Sequence, residues 1–187
     1  MAFLRGFVRS VDRLNEAVGG VLSFATLACV VVCFMVAVLR YVAGIGFVWM
    51  QETYVWLHAA VFLVGAGYTF KVGGHVRVDL FYRGASPRRR AWIDLLGCVF
   101  FLFPWLGVVS GASWRFFIAS YAIGESSGQP GGMPALYVLK FMLVAFCLLV
   151  GLQGLALMAR SVLVLRGDES HATRLEGEGE GEGEAAR

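Results

Sequence analysis

Four long apolar blocks, separated by polar connections, set the pattern of this chain. Residues 19–39 run without a charge, about the 20 residues that cross a bilayer's hydrocarbon layer as a helix. A second block covers 48–70, with Glu52 near its start and His58 farther in. A third covers 91–110 and contains Pro104, whose missing N–H and bulky ring predict a kink. The fourth covers 135–157, with Lys140 near its start. Ahead of the first block, Phe3, Leu4, Phe7, Val8, Val11 and Leu14 follow a helical period. Arg5, Arg9, Asp12, Arg13 and Glu16 take the other face. That pattern predicts an amphipathic helix on the membrane surface, and a plain helical extension of span one fits it too.

The chain therefore reads as an all-α integral membrane protein with four transmembrane helices. Its expected parts are an amphipathic arm over 1–17, a four-span domain over 18–166 and an acidic tail over 167–187. The tail alternates Glu and Gly from Glu176 to Glu184, so it buries too little to offset the entropy of ordering; disorder is expected. Composition agrees: 58% of residues are apolar, only 16% are charged, and the mean hydropathy is +0.71. The first block is too long for the core of a secretion signal, and no small-residue cleavage site follows it, so it is expected to stay as a span.

Charge gives the spans a direction. Thirteen of the sixteen Lys and Arg lie in the N-terminal arm, the 71–90 connection and the C-terminal segment. The other two connections hold only Arg40 and Arg115. Basic connections stay in the cytoplasm, so both termini are expected inside and the long third connection, roughly 111–134, outside.

Little here points to reaction chemistry. Cys29, Cys33, Cys98 and Cys147 all sit in apolar runs, where a thiol is a poor nucleophile. His58 and His75 stand about 25 Å apart along a helix, too far to share a haem. There is no metal-ligand spacing, no phosphate-binding glycine loop and no nucleophile–base pairing, so no enzyme, cofactor or nucleic-acid partner is expected. Glu52 lies about 6 Å into its span. It could carry a coupling proton in a small autonomous transporter, or make a polar contact near the outer surface. Lys140 lies at a similar depth and could pair with it, or snorkel to the interface. Trp49 and Trp56, seven apart, mark one face of span two for helix packing or interface anchoring.

One set of motifs falls in a familiar order. Trp49-x-x-Glu52 opens span two, and His75-Val76-Arg77-Val78-Asp79 follows it. Glu125-x-Ser127 and Gly131-Gly132-Met133-Pro134 come next, then Lys140 and Gln153-Gly154 in span four. Over roughly 18–160 the chain resembles the small membrane subunit of tripartite ATP-independent periplasmic (TRAP) transporters, the DctQ family. The resemblance implies a non-catalytic helper in the bacterial inner membrane. Its partners would be a large membrane subunit that moves the solute and a periplasmic substrate-binding protein. The solute would be organic, such as a carboxylate, and its uptake ion-coupled. Trp49, Glu52, Trp56, His75, Asp79, Glu125 and Lys140 would then be subunit-contact or structural residues.

Overall fold

Helix α1 runs without a break from Ala2 to Tyr41. Forty residues make about 60 Å of helix, so the arm and span one are a single rod. The helical-extension reading describes it, and its amphipathic face is turned against another helix. The computed structural model describes residues 2–75 and 84–167. Asp79 and the tail from 168 onward lie outside the described residues.

Span two is built from α2 (Val48–Ala59), one π-helical turn (Ala60–Val64) and α3 (Gly65–Lys71). Span three is α4 (Pro87–Gly97), a second π turn (Cys98–Leu102) and α5 (Phe103–Ala122). Span four is α6 (Leu136–Leu165). All four units are long and apolar enough to cross a membrane, and the described residues contain no strand.

The expected kink at Pro104 takes a specific local form. Proline cannot donate to the carbonyl four residues back, and its ring crowds that turn. The chain widens by one residue just ahead of it, and Phe103 N–H donates five residues back to Cys98. Span three also extends farther than expected. Residues 111–122, assigned to a connection because Gly111, Ser113 and Arg115 follow the apolar block, continue α5. None of those three forbids a helix; the stop comes at Gly124. Its φ of +57° is a conformation open to glycine, and Gly124 and Glu125 N–H bond back to Tyr121 (3.1 Å) and Ser120 (3.1 Å). At the other end, α4 begins on Pro87 with Ser86 in the cap position, although the serine side chain makes no capping bond.

Helix α6 is the hub and packs against each of the other three spans. Its stripe of Cys147, Val150, Gln153, Gly154, Ala156 and Leu163 is buried. Val8 and Val11 of α1 meet Ala156 and Ala159, while Ala66 and Leu106 meet Cys147 and Val150. Small residues at these crossings let backbones approach, which is how helices gain contact where lipid is as apolar as leucine. The membrane half of α1 stays largely uncovered, with Phe24 and Phe34 exposed.

Candidate functional site

The third connection, 123–135, is held to the ends of spans two and four by two carboxylates. Glu52 lies one turn into α2 and accepts from two donors of this loop, Ser127 Oγ and Met133 N–H, the latter at 2.5 Å. Trp49 N–H, unpaired within the first turn of α2, donates to Gly131 C=O at 3.1 Å. The loop is braced internally as well. Ser127 N–H donates to Met133 C=O (3.0 Å), and Leu136 N–H donates to Glu125 C=O (2.8 Å). Gly132 is required by this approach: a Cβ there would meet Ser127 Oγ and come within 2.9 Å of Glu52 Oε1. Ala135 turns the chain into α6 with a φ of +62°.

Glu125 forms the second clasp. Lys140 Nζ reaches Glu125 Oε2 and also lies 4.0 Å from the centre of the Phe116 ring. The two charges considered as partners from the sequence, Glu52 and Lys140, therefore belong to different clasps. Glu52 binds the loop and Lys140 binds the loop's acidic residue. The Lys140 ammonium beside Glu125 holds its carboxyl below the ordinary value of 4.5. A carboxyl lowered in the folded state stabilises the fold above its ordinary pKa, and this is lost as pH falls through the lowered value. The protection of residues 123–135, taken as exchange relative to the intrinsic amide rate at each pH, should therefore stay flat from neutral pH to about 4.5 and fall only on further acidification. Protection that falls already between pH 7 and 5 would refute a charged clasp.

A second polar cluster occupies the opposite end of the bundle, where α1 crosses α6. Arg160 donates to both carboxylate oxygens of Asp12, at 2.5 and 2.6 Å. Asn15 Nδ2 donates to Gln153 Oε1 (2.8 Å), and Gln153 Nε2 reaches Asp12 Oδ1 (3.4 Å). All four side chains are buried. Beside them Lys71 bridges to Glu16 at 3.1 Å, tying span two to α1. Helical periodicity had placed Asp12 on the outward face of the arm. The stripe that is buried is Val8, Val11, Asp12 and Asn15, while Phe3 is 82% exposed. The signal was available in α6, where Gln153 and Arg160 are seven residues apart on one stripe, beyond an apolar run that starts after Lys140.

The remaining expected positions are scattered. Trp49 is half exposed, its ring 6.2 Å from Phe47, and Trp56 is half-buried. His75 stacks loosely on Phe70 at the end of span two, 5.9 Å between ring centres. His58 is exposed on span two and lies against Phe62 at 4.7 Å. The four cysteines are free thiols, and among the described residues no group of His, Cys, Asp and Glu is arranged to hold a metal.

What the geometry offers is mechanical. One pair of clasps fastens a connection across spans two and four, and one buried network locks α1 to α6. Residues 28–164 match the family model described as "Tripartite ATP-independent periplasmic transporters, DctQ component". No curated protein and no solved structure matches the chain.

Proposed function

The chain belongs to the DctQ component family of tripartite ATP-independent periplasmic transporters, and from that premise we propose that it is the small, non-catalytic membrane subunit of such a transporter. It supports a large membrane subunit in the ion-coupled uptake of an organic solute, a carboxylate being the class that fits the family resemblance. The observation that carries this reading is the family match over residues 28–164, from within span one to the end of span four. The placement of charge supports it. No Asp, Glu, Lys or Arg lies in the middle of any span, over 17–39, 53–70, 95–114 or 141–159. Charged groups at the span ends are committed to partners inside the chain: Glu52 to Ser127 and Met133, Lys140 to Glu125, Arg160 to Asp12. Intramembrane ionisable groups mark ion and proton pathways, and Glu52 is spent on fastening a loop. The autonomous transporter based on Glu52 gains no support from this geometry.

In this reading the protein sits in the bacterial inner membrane with both termini in the cytoplasm, following the distribution of Lys and Arg. The clasped connection then faces the periplasm. Next to it, Trp114, Tyr121 and Ile123 at the end of α5 are 53%, 61% and 75% exposed. Aromatic side chains of this kind anchor protein contacts, so this end meets the large subunit or the docked binding protein. The test is deletion and purification. Uptake should fall to background without this chain, and a tag on it should recover a much larger membrane protein. Uptake that continues undiminished without it would overturn the proposal.

A further inference from the structure

Many polar side chains in the described spans are answered within the chain, and atoms left over, such as Asn15 Oδ1 and Arg160 Nε, are enclosed in the bundle. The hydroxyls of Ser23, Thr26, Thr53, Thr69 and Ser161 donate to carbonyls four residues back. Asn15 and Gln153 answer each other, and the charged groups form the clasps above. His58 is different. It is exposed, its side chain makes no hydrogen bond among the described residues, and its described contact is the tilted ring of Phe62, 4.7 Å away. It is also deep. Ten residues separate it from Val48, about 15 Å along the helix, which is the middle of a hydrocarbon layer about 30 Å thick. An imidazole is too short to snorkel from there. Val55 (48% exposed) and Phe62 (67% exposed) lie on the same outward stripe, three and four residues away.

Ionisable residues within spans almost always face a bundle interior or an aqueous cavity, because lipid tails offer neither donor nor acceptor. His58 turns outward from its own bundle. Exposed apolar stripes such as Phe24–Phe34 on α1 suit lipid as well as protein; the histidine singles out one face. A π turn begins two residues later at Ala60, with no proline to cause it, and such turns recur at functional positions. We infer that in the assembled transporter the Val55–His58–Phe62 stripe is covered by a membrane helix of the large subunit, which presents a hydrogen-bonding group to the His58 imidazole. This rests on the chain being a small TRAP subunit and names the face and chemistry of that contact. An imidazole can donate at one nitrogen and accept at the other. A hydroxyl, a carboxylate or a carbonyl freed by a break in the partner helix satisfies it.

The test uses the complete transporter in native membranes. A photo-reactive phenylalanine analogue is placed at Val55, at Phe62 and, for reference, at Trp114 and Phe34. Adducts to the large subunit from positions 55 and 62 are expected. Adducts from both positions only to a second copy of this chain, or only to lipid, would overturn the inference. If Trp114 or Phe34 still reaches the large subunit in that case, the proposed function stands and this face alone is wrong. If the large subunit never co-purifies, the proposed function fails first. Substitution gives a second readout. His58→Leu should lower the large subunit recovered in mild detergent by roughly threefold or more, while His58→Gln keeps most of it. Undiminished recovery with leucine is the result for a lipid-facing side chain and would reject the contact.

Discussion

Replacing Asp12 with leucine should lower the unfolding temperature of the purified chain by roughly 10 °C, and Arg160→Met should do about the same. Either substitution takes from a buried charge its closest counter-charge, and for Asp12 the long bond from Gln153 (3.4 Å) does not replace a guanidinium; the cost is about 3–5 kcal/mol. Spread over a chain of this size, each kcal/mol moves the midpoint by about 2–4 °C. The Asp12→Leu/Arg160→Met double variant should recover most of the loss, because two well-packed apolar side chains often equal a buried ion pair. The recovery distinguishes a desolvated pair from a solvated one. If neither single variant differs from the parent, water reaches both groups and the α1–α6 lock is not electrostatic. Gln153 extends the same network, so Gln153→Leu should cost less than either charge removal yet should not be additive with Asp12→Leu.

That prediction could not have been made from periodicity. Span number and order were legible because a run of about 20 apolar residues has few other uses. The ends of the spans were less legible. Hydropathy falls after Ser110 and marks an end to span three there, whereas backbone chemistry carries the helix to Ala122, just short of the Gly124 turn. Asp12 was put on the outside because an amphipathic reading sorts residues by type and assumes an apolar partner face. The partner, α6, is itself polar at Gln153 and Arg160, so like met like and the polar stripe went inside. The π turn at Pro104 could be anticipated as a local disturbance, but the one at Ala60–Val64 has no marker in the sequence. The motif residues showed which positions to watch and not which would meet. Glu52 and Lys140 share a depth, and depth alone suggested a pair. Glu125 and Ser127, brought in by a loop whose path no pattern specifies, take those charges instead.

Glu52→Ala should free the third connection, raising hydrogen exchange at Met133 and proteolytic cleavage within 125–134 by roughly an order of magnitude. Two donors, Ser127 Oγ and Met133 N–H, converge on this carboxylate, and the alanine leaves both without an acceptor. The backbone bond from Trp49 to Gly131 and the weak bond from Thr53 Oγ1 to Met133 Sδ (3.9 Å) would still tie span two to the loop. Glu52→Gln is the discriminating variant. Its amide oxygen can still accept from Met133, and the Ser127 hydroxyl can turn to accept from its NH2, so the loop keeps two bonds while the charge is removed. If Glu52 fastens the loop, glutamine retains much of the protection and much of the uptake, and activity across the series follows loop order. If Glu52 instead carries a coupling proton, glutamine abolishes uptake while the loop stays protected. Gly132→Ala approaches the same contact from the other side, since its methyl group would push Ser127 and the Glu52 carboxylate apart. It should reproduce the exposed loop of Glu52→Ala with the carboxylate still present. A transporter that tolerates Gly132→Ala with its loop still protected would show that the clasp does not depend on this close approach.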